Sequence, residues 1–420
     1  MSYKSRERNP PPVGPSMRTL LAPALLALAL VALAAPVPAA APPGFHVVQT
    51  TAGDGYTCAV TADQKAWCWG ENRDGELGQG YFDATAAVVS HFTPLEVPVP
   101  GGAVEVRGGL LGGVCARTPT GTVYCWGNAP TGRTATPTLV AGLTGVASLA
   151  VGSYHACAVK TDASLWCWGS NSDGQLGDGT TTYGGPVQAA ISGVASVTAG
   201  YWHTCAQKTD GSLWCWGRNT EGQVGTGAWS VAERLPVRVL GIAAGSSIAA
   251  GGWHTCARND GDGSVWCWGY NSWGQAGDGT YANRFTPGPV AQLAAPLGPG
   301  TQATWIVAGW MHTCAGRADG TLWCWGNGDY GQLGHGAWGI VPGYSSTHPL
   351  PVLGQGFTQG AAGAFHTCAS KADGALWCWG DNHFGESGYL NPEQPVLGNT
   401  CFNYPSCTWS VPLPVVSRTN

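Results

Sequence analysis

Charge is scarce in this chain. Only 10% of its 420 residues are Asp, Glu, Lys or Arg, and the 24 acidic residues outnumber the 19 basic ones. A net charge of −5 removes the main source of affinity for phosphates, so nucleic acid is excluded as a partner. Beyond residue 35 no apolar run is long enough to span a bilayer. Sustained helical periodicity is missing after the N-terminal segment, and no nucleophile elbow or phosphate-binding glycine loop occurs. Disorder is excluded by 44% hydrophobic residues and 21 tryptophans. What is plentiful is Gly, 65 residues, with 29 Pro and 16 Cys, a composition suited to many tight turns in one large all-β domain.

The first 39 residues predict a cleaved export signal. Lys4, Arg6, Arg8 and Arg18 form a positive segment, Leu20 to Ala35 an apolar one, and Val37-Pro38-Ala39 a small-residue cleavage site. The segment holds no Cys, which argues against a lipoprotein. Cleavage after Ala39 removes four basic residues and Glu7, leaving a net charge of −8 on residues 40–420. The mature chain is expected outside the cytoplasm (secreted, surface-held or periplasmic), with no membrane insertion after cleavage.

Internal repetition decides the architecture. The clearest unit is Val307 to Gly334, VAGWMHTCAGRADGTLWCWGNGDYGQLG. Seven copies centre on Cys58, Cys115, Cys157, Cys205, Cys256, Cys314 and Cys368, spaced 42 to 58 residues apart. Within the fourth copy, Val194–Ala199, His203–Lys208, Leu213–Trp216 and Pro236–Leu240 read as short strands, with Asp210-Gly211 as a hairpin turn. Four strands repeated seven times predict a seven-bladed β-propeller of four-stranded antiparallel blades, as one domain over residues 40–420. Ring closure is expected to offset blades from sequence repeats, so that one blade joins strands from both chain ends.

These repeats resemble those of the regulator-of-chromosome-condensation family. The motif G-x-x-H-T occurs at His203, His254, His312 and His366, with Ala156 in place of Thr after His155. W-G-x-N follows at Trp168, Trp216 and Trp268. The turn G-Q-L-G stands at Gly174 and Gly331, with variants GQVG at Gly222, GQAG at Gly274, GELG at Gly75 and GESG at Gly385. The resemblance implies a seven-bladed propeller. The second copy departs from it: Gly113 replaces the His, and the turn is missing after Asn128. The Cys pairs and export signal also set the chain apart from a nuclear nucleotide-exchange factor.

Cysteines recur in pairs across each hairpin turn: Cys58 with Cys68, Cys115 with Cys125, Cys157 with Cys167, Cys205 with Cys215, Cys256 with Cys267, Cys314 with Cys324, and Cys368 with Cys378. Facing positions on antiparallel neighbours come close enough for a disulfide. Zinc prefers ligand pairs two to four residues apart, so a metal role is not expected. The extra residue in the fifth pair falls in the turn Asn259–Gly263. Cys401 and Cys407 are expected to form an eighth bridge. In each Trp-Cys-Trp strand the tryptophans share one face and are expected in the core between blades.

Candidate binding residues precede the repeat His. Tyr154, Trp202, Trp253, Met311 and Phe365 stand there in copies three to seven, with Trp310 and Tyr201 beside them, whereas copies one and two carry Gly55 and Gly112. Equivalent positions in a propeller form an arc on one face, a natural anchor for a protein partner or stacked sugars. Secreted propellers that inhibit β-lactamases resemble this arrangement. The histidines are expected to satisfy local backbone groups rather than bind metal. The long loops Tyr81–His91, Tyr281–Phe285, Trp338–His348 and Tyr389–Trp409 are expected to form a second surface.

An acid–base pair for catalysis is not evident. Asp210, Asp319 and Asp373 occupy turn tips, and Asp83, Glu96, Glu105, Glu233 and Glu393 are scattered. The reading is therefore a monomeric binding module for an extracellular protein or glycan, without cofactor or metal. Inhibition of an extracellular enzyme is one concrete form. A polysaccharide-active enzyme and a structural surface repeat are the alternatives.

Overall fold

The computed structural model describes residues 45–83, 91–242, 245–336, 345–388 and 408–415. The export signal and the Cys401–Cys407 pair lie outside the described residues. No helix occurs among those described, and 28 strands form seven four-stranded antiparallel sheets. They are the blades: Val47–Val97, Glu105–Leu139, Val146–Ser192, Val194–Arg238, Ser246–Pro289, Ala303–Pro351 and Phe357–Pro414, numbered 1 to 7. Each blade is a meander, with strands paired in chain order. The first strands of successive blades neighbour one another around the ring, including blade 7 against blade 1, so they are innermost. They carry small and hydroxylated side chains, and Thr50, Thr198, Ala199, Ala250, Ile306 and Ala361 line an axial cavity of about 490 Å³.

The expected blade offset is absent. Every blade is contiguous in sequence, and among the described residues no sheet combines strands from the two ends of the chain. Side-chain docking closes the ring instead, with the same fastening used at the other junctions.

That fastening follows from the repeat. Strand alternation sends the second Trp of Trp-Cys-Trp to one face of the blade and the cysteine to the other. At the junction of blades 3 and 4, Cys157 and Cys167 pack with Leu176 and Val194 against Ala206 and Trp216. One junction further, Cys205 and Cys215 meet Ala257 and Trp268. Seven tryptophans at this position, Trp69, Trp126, Trp168, Trp216, Trp268, Trp325 and Trp379, are fully buried, Trp126 following Tyr-Cys rather than Trp-Cys. The first Trp of each strand behaves differently. Trp214 is half-buried, donates Nε1–H to Ser212 Oγ at 2.9 Å, and lies beneath the Lys208 ammonium 5.7 Å away. Only one tryptophan of each pair is therefore fully in the core.

The cysteines pair as the hairpin spacing requires. Seven disulfides join directly opposed residues, with Cα atoms 4.0–4.1 Å apart. The additional residue of blade 5 is absorbed between Asn259 and Ser264, leaving Cys256 opposite Cys267. Each closed hairpin loop stabilises the fold by about 3 kcal/mol in the chain-entropy account. Seven bridges indicate an oxidising environment.

The repeat histidines correct the sequence expectation. Each is buried and reaches not its local backbone but a threonine on the next blade. His155 Nε2 lies 2.8 Å from Thr204 Oγ1, His203 2.9 Å from Thr255, His254 2.8 Å from Thr313, His312 2.9 Å from Thr367, and His366 2.8 Å from Thr57. The hydroxyl donates onward to the turn carbonyl of the preceding blade, Gln175 O in the case of Thr204, at 2.7 Å. A hydroxyl has one proton, so it must accept from the histidine. The tautomer is thus Nε2–H, and Nδ1 is left buried without a hydrogen-bond partner in all five rings. Burial holds these imidazoles down at about 3, so they are neutral. The glycine three residues earlier makes room: a Cβ on Gly200 would stand 2.3 Å from His203 Cε1 and 2.5 Å from Gly251 O.

This pairing explains the irregular copies. A threonine is useful only where the preceding blade supplies a histidine. Blade 2 offers Gly113, and blade 3 accordingly has Ala156. Blade 1 offers Tyr56, whose hydroxyl donates to Gly109 O at 2.8 Å, and blade 2 has Val114. Blade 2 also turns tightly at Ala129–Gly132, so it presents no G-Q-L-G carbonyl, and Trp168 Nε1 is the one core indole without a partner.

A double-mutant cycle tests the pairing. His203→Ala and Thr255→Ala should each cost about 2 kcal/mol by orphaning a buried polar group. Their combined cost should fall short of additivity by about 1 kcal/mol. Additive losses in denaturant titrations would refute the coupling.

Candidate functional site

Strand polarity fixes which loops share a face. In each blade the chain leaves the first strand, turns (through G-x-x-H in blades 3 to 7) and returns. The G-Q-L-G turn after the third strand lies at the same end, and the Asp-Gly turn lies at the other. The arc and the G-Q-L-G turns therefore share one face, here face A; of the loops expected to form a second surface, Tyr281–Phe285 stands on face A as well, whereas residues 84–90, 337–344 and 389–407 lie outside the described residues. Contacts agree: Tyr330 of the blade 6 turn meets Phe365 of blade 7 with ring centres 4.6 Å apart, and Arg218 of blade 4 lies 5.1 Å from the Trp253 ring centre.

All six candidate residues lie on face A and are half-buried. They form two groups, the first stacked and the second joined edge-on. Tyr154 stacks on Trp202 at 4.4 Å and meets Tyr201 edge-on at 5.6 Å, while Tyr201 stacks on Trp253 at 5.5 Å. Trp310 meets Phe365 at 5.1 Å, and Tyr330 extends that group. Met311 lies between the groups in ring order, its Sδ receiving Gln275 Nε2–H at 3.5 Å. A ring of backbone bonds holds the loops in place: Tyr201 N to Gly252 O, Gly252 N to Gly309 O, Trp310 N to Gly363 O and Ala364 N to Gly53 O, at 3.0–3.1 Å. Outside the arc, Tyr81, Phe82, Tyr183, Trp229 and Tyr281 form an exposed outer set, with Trp229 67% exposed.

Tyr330 and Arg218 escaped the sequence reading because each meets the arc from a segment outside the G-x-x-H loop, which repeat alignment does not reveal. The acidic side of face A escaped too. Burial, reinforced by Asp381 and opposed by Arg73, raises Asp54 to about 6. Burial raises Glu71 to about 7, with Arg73 pulling the other way. Burial likewise raises Glu76 to about 8 and lifts Asp381 and Glu386. The sequence signal was available: Glu76 and Glu386 replace Gln in the GELG and GESG turns.

The scattered carboxylates do not converge. Glu96 pairs with Lys65 at 2.8 Å, Asp83 with His91 at 3.1 Å, Glu105 with Arg107 and Arg117 at 3.1 and 3.0 Å, and Glu233 accepts from Ser230 at 2.8 Å. Glu393 lies outside the described residues. Among the described residues, no three of the His, Cys, Asp and Glu side chains are grouped to hold a metal ion.

The fold and its repeat fastenings define a disulfide-braced seven-bladed propeller with an aromatic arc on one face. The chain belongs to the RCC1-like domain family, whose model matches residues 132–398, and the regulator of chromosome condensation (RCC1) repeat matches residues 47–76. It is similar to the ultraviolet-B receptor UVR8 of Arabidopsis thaliana, 28% identical over 89% of this chain and 76% of that protein. It is similar also to the human E3 ubiquitin-protein ligase HERC2, 29% identical over 82% of this chain, of which it spans only 6%. Among solved structures, Prp20p of Saccharomyces cerevisiae superposes with a TM-score of 0.64 at 20% identity, covering 78% of this chain and 84% of Prp20p. RCC1-like propellers are typically protein-interaction modules.

Proposed function

We propose that this chain is an exported binding module that engages an extracellular protein through face A. The observation that carries the reading is the packed aromatic arc. Tyr154, Trp202, Trp253, Trp310, Met311 and Phe365 supply a rigid, half-buried apolar surface, of the kind that anchors protein partners at small entropic cost. A protein is favoured over a glycan by how the rings are used. Sugar stacking needs open ring faces, whereas the Trp253 ring already stacks with Tyr201 and has the Arg218 guanidinium 5.1 Å from its centre. Edges and partial faces remain, which suit an apolar protein contact. The related Prp20p is described by its binding to Gsp1p and histones, in keeping with a protein-binding scaffold. Inhibition of an extracellular enzyme is one form this binding could take.

Affinity capture from the surrounding extracellular fraction tests the reading. The chain would be run beside Trp202→Ala/Trp253→Ala, with folding of both verified by thermal melts. A protein held by the parent and reduced at least about tenfold by the variant is the expected result. Equal capture by both would overturn the arc as the site, and selective retention on a polysaccharide column would replace the protein partner with a glycan.

A further inference from the structure

The arc is incomplete in two blades, and its gaps are filled by charge. In blades 3 to 7 the residue before the ring histidine is Tyr154, Trp202, Trp253, Met311 or Phe365; in blades 1 and 2 it is Gly55 or Gly112. A Cβ built on Gly55 would stand 3.0 Å from Glu71 Oε2 and 2.8 Å from the Phe384 ring. One built on Gly112 would stand 2.7 Å from Glu76 Oε1. Both glycines adopt positive φ, 71° and 87°, so a side chain is disfavoured on backbone grounds as well. Where five blades present an apolar side chain, blade 1 has a partly buried carboxylate oxygen at its gap and blade 2 a buried one.

Asp54 adjoins the first gap. Its carboxyl and that of Glu71 are only partly buried, whereas Glu76 is buried. Arg73 faces this sector 3.5 Å from Glu71, but its side chain is 58% exposed, so water weakens its compensation; Arg133 pairs with Asp74 at 2.7 Å and His91 with Asp83 at 3.1 Å. Asp74 and Asp83 also act on Glu71, Asp381 acts on Asp54, and His383 acts on Asp381. The sector is therefore predominantly acidic and is bordered by aromatic carbon. No metal cage forms among the described residues, which makes a compact ion a poor match. An extended cation with an apolar stem matches both the rings and the carboxylates.

We propose that face A recognises a lysine or arginine side chain of its protein partner, the stem lying against Phe384 and the cation meeting Glu71 and Asp54. This rests on the reading of face A as the protein-binding surface. Because burial raises Glu71 to about 7 and Asp54 to about 6, a bound cation would displace protons from them. Binding should therefore strengthen between about pH 5.5 and pH 8.

The probe is a capped hexa-arginine peptide, titrated into the purified chain at low salt and followed by tryptophan fluorescence. Glu71→Gln/Asp54→Asn should weaken binding about tenfold and flatten its rise with pH. Asp210→Asn/Asp373→Asn, which removes the same charge from turn tips on the opposite face and keeps the Oδ1 acceptors, should change affinity by less than about twofold. Equal weakening by both pairs would assign binding to the diffuse field of an acidic chain and overturn the proposal. So would wild-type affinity in the Glu71/Asp54 variant. Partner capture separates this inference from the reading beneath it. If capture is lost with Trp202→Ala/Trp253→Ala but kept by the Glu71/Asp54 variant, the face stands and the cation site falls. If both variants keep it, both fall.

Discussion

Replacing Glu76 by Gln should stabilise the propeller by about 3 kcal/mol at pH 7 and by almost nothing near pH 4.5. Glu76 is 2% exposed and stands where other blades have Gln. Its Oε2 accepts Asp74 N–H at 2.8 Å, the bond that Gln175 Oε1 makes with Asp173 N–H at 2.9 Å, so the amide can replace the acid without repacking. Burial raises the carboxyl to about 8, and Glu71 and Asp74 add repulsion. The folded chain therefore holds this proton where the unfolded chain releases it. That contribution to stability is complete below the ordinary glutamate value and is lost as pH rises to about 8. Glu386, 1% exposed, repeats the arrangement at the ring-closing junction, its Oε2 accepting Phe384 N–H at 2.9 Å. Glu386→Gln should act in the same direction. Asp54 and Glu71 titrate the same way, so some slope survives in either variant. Thermal midpoints from pH 4.5 to 9 provide the check. A gain independent of pH would show that these carboxyls are not buried acids in solution.

The second large effect separates the two tryptophans of one strand. Trp216→Ala should cost about 4 kcal/mol, near the upper end for a buried aromatic, and Trp214→Ala about 1 kcal/mol. Trp216 is fully buried against the Cys157–Cys167 bridge, and its Nε1–H bonds Gln175 O at 2.9 Å. Its removal opens a cavity between two blades and leaves one donor fewer on a carbonyl that also serves Thr204. Trp214 loses packing at a site already half open to water. Similar losses at both positions in denaturant titrations would contradict the division of the pair into one core and one boundary residue.

The fold was legible because its signals are local and repeated. Val194–Ala199 and His203–Lys208 have the same limits in sequence and structure, and the Cys pairs marked the hairpin register. Outer strands were less legible: the expected Pro236–Leu240 is Ala232–Arg238, because the variable loop before it carries no periodic mark. Ring closure was misjudged since edge protection can come from side chains as well as from a shared strand. His366, Thr57 and Trp69 provide it here, with Thr57 and Trp69 both donating to Glu386 O at 2.8 and 2.9 Å. The histidines were misassigned for a related reason. Four of their partners lie 49 to 59 residues away and the fifth, Thr57, lies 309 away, and only the blade-to-blade stack brings them together. For the candidate site, the positions of the arc residues could be read from the repeat. The ring stacking and the acidic sector depend on loops meeting across blades.

The contiguous blades have a practical consequence for orientation. Val47 N bonds Gly374 O of an Asp-Gly turn, and Val415 N bonds Leu376 O just beyond it, so the first and last strands both meet the rim opposite the arc. A tag, tether or fused domain joined at either place would hang from the back of the disc. Immobilised that way, the molecule would behave like a dish on a stand, with its aromatic and acidic side free to meet a partner.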